Sequence, residues 1–190
     1  MERHWPRPPV GGYTVDDLFT LPHLPPHTEM IDGSLVFAAP QNLFHSCTVS
    51  LLEHGLRASR PAEAKVVRDM TVILDRHNGP EPDISVVRAE ADTGLDQDHF
   101  TAADVLLAVE VVSPDSEARD RNLKPGRYAA AGIPHFWLVE MAGSDDHPVV
   151  QVHELGQATG TYALTGIYHD RVKLTVPYPI DIDLTVIDEL

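Results

Sequence analysis

Residues 105–114 read Val-Leu-Leu-Ala-Val-Glu-Val-Val-Ser-Pro, an apolar run with a single carboxylate, Glu110, inside it. Such a run is typical of a β-strand covered on both faces, and residues 105–112 are predicted to form one. Burying a carboxylate there costs several kcal/mol unless it is paired, hydrogen-bonded or bound to a metal. A buried arginine or backbone donors would be a structural partner for Glu110, and a metal ion would be a functional one.

Asp83 stands at the start of a second apolar run, residues 82–88, which is also predicted to be a strand. An aspartate after proline is often only a turn residue. Two acidic residues on neighbouring strands, however, supply the hard oxygen ligands that Mg²⁺ or Mn²⁺ prefers. Asp83 and Glu110 together therefore indicate a metal site more strongly than either does alone.

The rest of the chain predicts alternating helices and strands. Apolar positions at three- and four-residue spacing predict a helix over residues 42–59. Asp32-Gly33 predicts the turn of a hairpin within residues 30–37, with Glu29 at its mouth. The other predicted elements are helices over 14–20 and ending at 131–132, a surface connection over 89–101, and strands over 65–75, 136–141, 149–154, 160–167 and 172–176. This order predicts an α/β fold.

Length and composition predict one soluble domain. The 190 residues, 43% of them hydrophobic, suffice for one sizeable core, so residues 1–190 are expected to form a single domain with a loose, proline-rich arm over residues 1–12. No apolar run approaches the ~20 residues that cross a bilayer, and the N-terminus lacks the apolar segment of a signal peptide. A cytoplasmic location with no membrane partner is the expectation.

Cysteine and histidine usage limits the kinds of metal site. The single cysteine, Cys47, excludes an internal disulfide and a cysteine-based zinc site. His23 and His27 are four residues apart, but the prolines around them disfavour a helix that would bring both to one ion. The sequence therefore favours carboxylate ligands over imidazole.

Pro82-Asp83 followed by Glu110-Val111-Val112 resembles the PD-(D/E)xK nuclease pattern, with Val112 in the place of its final lysine. Within that superfamily the chain is most similar to the Uma-two family of endonucleases, formerly a domain of unknown function, in which the lysine has moved into the following helix. The resemblance is an ordered series between about Thr28 and Leu155. Its residues are Glu29-Met30-Ile31-Asp32-Gly33, Pro40, His45, Pro82-Asp83, Glu110-Val111-Val112-Ser113-Pro114, Asp120, Lys124, Tyr128, Gly132-Ile133 and Trp137-Leu138-Val139.

The resemblance implies a restriction endonuclease-like fold, a mixed central β-sheet flanked by α-helices with additional antiparallel C-terminal strands. It implies a Mg²⁺- or Mn²⁺-dependent endonuclease that hydrolyses phosphodiester bonds of DNA. Asp83 and Glu110 would be its metal ligands, Lys124 its displaced catalytic lysine, and Glu29 a further acidic ligand or water-positioning group. Because related nucleases often pair two active sites to cut two strands, a homodimer is also expected.

Three residues near the proposed site have roles that the sequence leaves open. His45 lies on the apolar side of its helix, so it is either a core histidine or a catalytic one. Tyr128 follows Lys124 by four residues and either packs beside it or joins the site. Lys124 precedes Pro125, which predicts a helix entry or a kink and leaves the reach of Lys124 toward Glu110 undecided.

The net charge of −15 opposes binding of a polyanion, because nucleic-acid affinity comes from Lys and Arg neutralising phosphates. A nuclease therefore needs a local basic patch, bound cations or an unusual substrate. The sequence offers one modest patch, which consists of Arg119, Arg121, Lys124 and Arg127. The alternative function is a catalytically inactive nuclease-fold module that binds or regulates, since a fold does not guarantee activity.

Overall fold

The computed structural model describes residues 7–142 and 147–189, so residues 1–6 of the predicted N-terminal arm lie outside it. In chain order the helices and strands are α1 (Val15–Thr20), β1 (Thr28–Ile31), β2 (Ser34–Phe37), α2 (Leu43–Ser59), β3 (Ala64–Arg68), β4 (Thr71–Ile73), β5 (Ile84–Arg88), β6 (His99–Thr101), β7 (Val105–Val111), a π-helical turn (Arg119–Leu123), α3 (Lys124–Ala130), β8 (His135–Ala142), β9 (His147–Leu155), β10 (Tyr162–Tyr168), β11 (Arg171–Leu174) and β12 (Ile180–Asp183). Short 3₁₀-helices cover Ala89–Ala91, Ala102–Asp104 and Leu184–Glu189.

The centre of the fold is a six-stranded mixed sheet in the order β10-β9-β8-β7-β5-β3. Only the β7–β8 pair in this sheet is parallel, and the helical crossover between those strands carries α3. Strand β7 lies inside the sheet, as its apolar run predicts. The mixed sheet flanked by helices, with further antiparallel strands near the C-terminus, confirms the predicted fold class.

Helix α2 packs on one face of the sheet. Asn42 caps its N-terminus by accepting a hydrogen bond from the backbone N–H of His45. Leu52 and Leu56 of the helix are fully buried and belong to the same core as Leu107 of β7. The helix confirms the prediction that was made from the apolar periodicity. Its N-terminal turn lies at the end of the sheet where β7 terminates.

Helix α3 covers the opposite face near the same end of the sheet. Tyr128 of α3 and Ile133 after it are fully buried with Ala108 of β7 and Phe136 of β8. Successive side chains of a strand point to opposite faces, so Glu110 lies on the α3 side with Ala108, while Val109 and Val111 belong to the core on the α2 side.

The hairpin β1–β2 forms at the predicted turn. Asp32 and Gly33 have φ values of 49° and 73°, the positive angles that a two-residue type I′ turn requires. An added Cβ at Gly33 would lie 3.3 Å from the Cα of Gly12 and 3.3 Å from the carbonyl oxygen of Tyr13, so the turn also needs the small residue for packing.

Two predicted segments differ from the structure. The strand predicted over residues 65–75 is divided by Asp69, whose φ of 50° ends β3 and starts a separate strand, β4. Strand β4 pairs in parallel with β6, which lies inside the segment predicted as a surface connection. The antiparallel strand predicted over 172–176 does form, as β11, which pairs with β12 outside the central sheet. None of the helices in the described ranges combines the length and apolarity needed to span a bilayer.

Candidate active site

Glu110 is buried, with 2% of its surface exposed, and has two side-chain partners. Its Oε2 accepts a hydrogen bond from Nζ of Lys124 at 3.0 Å, and its Oε1 accepts one from the hydroxyl of Tyr128 at 2.5 Å. Burial raises the pKa of Glu110 well above its ordinary value, and the Lys124 ammonium opposes that rise. Lys124 and Tyr128 are therefore the partners that the buried carboxylate required.

Lys124 is the first residue of α3 and directly follows the π-helical turn Arg119–Leu123. Pro125 follows directly, in the first turn of α3. Helical backbone runs from residue 117 through the π-helical turn into α3, so Lys124 lies at a distortion within a helical segment, which fits the kink of the two predicted alternatives and not a helix entry. The lysine points inward: Nζ lies 2.9 Å from Glu29, 3.0 Å from Glu110 and 3.2 Å from Asp120.

The Lys124 ammonium keeps its charge inside the protein. Burial alone would lower the pKa of Lys124, but the surrounding carboxylates, led by Glu110 and then Glu29, raise that pKa well above its ordinary value. Burial likewise raises the pKa of Tyr128 well above its usual range, so its hydroxyl remains a donor to Glu110. The site therefore contains one fixed positive charge.

Asp83 stands next to Glu110 across two paired strands. Ile84 of β5 pairs with Val109 of β7, so extending the register by one residue places Asp83 opposite Glu110. Asp83 Oδ2 accepts the backbone N–H of Val111 at 2.6 Å, and Oδ1 lies 3.0 Å from Nε2 of His45. These two contacts fix the carboxylate. His45 is therefore a partner of Asp83 in the cleft and not an isolated core histidine.

Glu29 and Asp120 are the other two carboxylates that contact the Lys124 ammonium. Glu29 Oε1 also accepts the backbone N–H of Glu81 at 2.8 Å, which ties β1 to the loop before β5. Asp120 is 1% exposed, and its Oδ1 contacts the Lys124 ammonium at 3.2 Å. Burial raises the pKa of Asp120, and Lys124 opposes that rise.

These side chains line a cleft of about 450 Å³ at one end of the sheet. Four carboxylates, of Asp83, Glu110, Glu29 and Asp120, stand against the single ammonium of Lys124, so the ionised cluster carries excess negative charge. Hard oxygen donors of this kind suit a divalent ion such as Mg²⁺ or Mn²⁺. Asp83 and Glu110, which both line the cleft, are the candidate residues to hold it.

The predicted basic patch is wrong as a positively charged surface, because each of its members is paired with acid. Arg119 contacts Asp115, Arg127 contacts Asp32, and Lys124 is buried among carboxylates. Arg121 contacts both Glu117 and Glu140. Local pairs four residues apart and two tertiary contacts, to Asp32 and Glu140, together neutralise the segment that looked basic in the sequence.

The structure brings together all four predicted site residues, Asp83, Glu110, Lys124 and Glu29. Sequence reasoning assigned no role to Asp120, although an aspartate four residues before a lysine on a helical segment was an available signal. It gave no role to three further cleft residues, Asp69, Glu81 and Arg68, and it set His27 aside as a metal ligand because of the prolines around it.

The mixed sheet, with acidic residues and a lysine at the end of its central strands, defines a nuclease-like protein of the restriction endonuclease type. The family model Uma2, described as "Putative restriction endonuclease", matches residues 15–186, and the chain belongs to this family.

Comparison of structures gives the same fold. The chain is similar to a crystal structure described as "a putative nuclease belonging to DUF820 from Anabaena variabilis ATCC 29413". The two share 19% sequence identity with a TM-score of 0.62 over 93% of this chain and 92% of that one. No curated protein sequence matches the chain.

Proposed function

We propose that the protein is a metal-dependent endonuclease that hydrolyses phosphodiester bonds of DNA, with Mg²⁺ or Mn²⁺ held by Asp83 and Glu110. The observation that carries the proposal is the position of the Lys124 ammonium, 3.0 Å from Glu110 and buried in the cleft that Asp83 also lines. Two carboxylates can hold the metal ion that activates water for phosphodiester hydrolysis, and the charged lysine beside them completes a site suited to that reaction.

The net reaction adds water across a phosphorus–oxygen bond: the water oxygen bonds to phosphorus, the ester oxygen leaves, and the water protons end on the products. A bound divalent ion would polarise the phosphate and lower the pKa of its water. Lys124 would hold Glu29, Glu110 and Asp120 in position and orient a water, because its ammonium contacts all three carboxylates. Glu29 would help to orient the attacking water, and His45 would hold Asp83 through their contact at 3.0 Å.

A second candidate, a nuclease-fold module without activity, is favoured by one observation. The net charge is −15, and the arginines near the cleft are paired with acidic residues. Around the cleft, the described residues therefore offer little free positive charge for binding nucleic acid. Retention of Asp83, Glu110 and Lys124 in one connected cluster favours catalysis over this alternative.

A nuclease assay separates the two candidates. Supercoiled plasmid, linear duplex, single-stranded DNA and RNA are incubated with the protein in Mg²⁺, Mn²⁺ or Ca²⁺. We expect cleavage of DNA by the wild type with Mg²⁺ or Mn²⁺, and none by Glu110→Gln or Asp83→Asn. Glu63→Gln, an exposed carboxylate outside the cleft, is the matched control and should cut normally. Binding of DNA without cleavage by purified wild type in all three ions would support the inactive module.

The finer parts of the proposal concern assembly and location. The family model matches residues 15–186, which include every proposed site residue, so the match supports a single domain that contains the whole site. We include a homodimer in the proposal, because two copies would place one active site on each strand of a duplex, and a cytoplasmic location, where the DNA substrate would be found. Analytical ultracentrifugation with and without duplex DNA tests the dimer, and a monomer under both conditions would contradict it.

A further inference from the structure

Three potential metal-ligating side chains meet in the cleft wall outside the Asp83–Glu110 pair. They are His27, just before β1, Asp69, between β3 and β4, and Glu81, in the loop that leads to β5. One ligand atom from each lies within 4.8 Å of the other two, and Nδ1 of His27 is 2.5 Å from Oε1 of Glu81. Among the described residues this is the set of three donors that is already close enough to share one ion.

The donor types in this cluster differ from those around Lys124. An imidazole nitrogen with two carboxylates suits Mn²⁺ or Zn²⁺, whereas Mg²⁺ prefers oxygen alone. Asp69 and Glu81 are held close together, and a protonated His27 would offset only one of their two negative charges. Nε of Arg68 is 3.8 Å from Asp69, but the same guanidinium also serves Glu53, so Arg68 offsets the charge of Asp69 only in part. A divalent ion would balance both carboxylates.

The cluster is joined to the proposed catalytic carboxylates by a short covalent and hydrogen-bonded path. Glu81 is two residues before Asp83, and its backbone N–H donates to Glu29, which in turn contacts Lys124. This path fixes the cluster relative to the reacting groups. The side chain of His27 is 57% exposed, so an ion there would keep coordination positions open to the cleft.

The charge distribution of the cleft indicates a role for such an ion. Its lining arginines and lysine, Arg68, Arg119 and Lys124, are each paired with a carboxylate of the protein. A nucleic acid that enters the cleft thus meets little free positive charge, although its backbone requires neutralisation. An ion with open positions would supply that charge directly to a phosphate oxygen.

We propose that His27, Asp69 and Glu81 bind one divalent transition-metal ion, Mn²⁺ or Zn²⁺, and that this ion anchors a phosphate of the nucleic acid beside the phosphate that is cut. Binding of the ion is independent of the proposed function. Only its role as a phosphate anchor rests on that function.

Co²⁺ is a suitable probe for this site, because its visible d–d absorption reports on an imidazole–carboxylate ligand set. The full chain is titrated with Co²⁺ by absorption and with Mn²⁺ by calorimetry. We expect His27→Ala and Glu81→Gln to lose the Co²⁺ bands and to bind about tenfold or more weakly at one site, since even an indirect partner of a metal contributes 10–100-fold. His54→Ala, an exposed histidine on α2, is the matched control and should match the wild type.

The two metal proposals fail in different ways. Asp83→Asn should remove the other Mn²⁺ site and leave the Co²⁺ bands, so loss of cleavage with the bands intact concerns the proposed function alone. Unchanged Co²⁺ spectra and Mn²⁺ affinities in both His27→Ala and Glu81→Gln would overturn the inference. Circular dichroism melts confirm that each variant is folded, and Glu81→Gln keeps the side-chain shape if His27→Ala unfolds. With metal bound, an inorganic phosphate titration should weaken in Glu81→Gln if the ion anchors phosphate.

Discussion

Replacing Lys124 by methionine removes the one ammonium among three buried carboxylates and keeps an apolar stem of similar length. Nζ of Lys124 lies 2.9 Å from Glu29, 3.0 Å from Glu110 and 3.2 Å from Asp120, and the residue is 4% exposed. Removing one partner of a buried ion pair costs about 3–5 kcal/mol, because the remaining charge is left without compensation. We therefore expect Lys124→Met to lower the free energy of unfolding by about 3–5 kcal/mol in the absence of metal.

The loss is measurable as a shift in melting temperature. For a chain of this size each kcal/mol corresponds to about 2–4 °C, so the variant should melt about 6–20 °C lower in the presence of EDTA. The matched control is Lys65→Met, which removes an exposed lysine paired with Asp92 alone. A surface pair contributes about 1 kcal/mol or less, so Lys65→Met should change the melting temperature by only a few degrees.

Metal and pH give two independent checks on the same reasoning. Without the ammonium the carboxylates attract a divalent ion more strongly, so Mg²⁺ or Mn²⁺ should raise the melting temperature of Lys124→Met more than that of the wild type. The ordinary pKa of Glu110 is 4.5 and burial raises its pKa in the folded chain. The folded state therefore takes up a proton on Glu110 more readily than the unfolded state does. Because that proton removes the uncompensated charge, the loss of stability in Lys124→Met should shrink as the pH falls from 8 toward 5.5.

Calorimetric or fluorescence melts in EDTA and in saturating metal supply the data, and the same samples are tested for cleavage. Lys124→Met should be inactive while it still binds metal. Equal destabilisation of Lys65→Met and Lys124→Met, or no additional stabilisation of Lys124→Met by metal, would refute the account of Lys124 as the counter-charge of the carboxylate cluster.

Three further predictions test packing and protonation. Tyr128→Phe removes the hydroxyl that donates to the buried glutamate of β7 and should cost about 1–3 kcal/mol in chemical denaturation, with slower cleavage. Gly55→Ala on α2 should destabilise by about 1–3 kcal/mol, because the new Cβ would lie 2.6 Å from the side chain of Ile182, whereas Gly126→Ala on α3 meets nothing within 4 Å and should stabilise by up to about 1 kcal/mol. Burial lowers the pKa of His153 from 6.5, so the unfolded chain binds its proton more readily and stability falls as the pH drops below that value. The melting temperature of His153→Gln should therefore fall less than that of the wild type between pH 7.5 and 5.5, and parallel melting curves would contradict the assignment.

The sequence by itself determined the elements whose signals are local. The apolar run of β7 predicted a central strand, because a strand covered on both faces has no polar side to alternate with. Asp32-Gly33 predicted the β1–β2 turn, since those residues tolerate the positive φ angles that the turn requires. The cost of burying Glu110 predicted that it has partners, and the order of the motif residues indicated the family.

Only the tertiary structure decided which groups meet. Lys124 follows a π-helical turn and contacts Glu110, and no local sequence pattern predicts that geometry. Asp69 ends β3 through a left-handed backbone, which disrupts a run whose composition favours one continuous strand. His27, from a loop remote in sequence, then meets Asp69 and Glu81.

The same limit explains the error about surface charge. A count of Arg and Lys along residues 119–127 indicated a basic patch, but Arg127 pairs with Asp32 and Arg121 with Glu140, both distant in the chain. Local patterns report the preferences of neighbouring residues, whereas these two pairs and the metal-ligand geometry depend on contacts between segments far apart in sequence. Those contacts are set by the packing of the sheet and its helices, so the candidate residues could be identified from the sequence, but their convergence on one cleft required the fold.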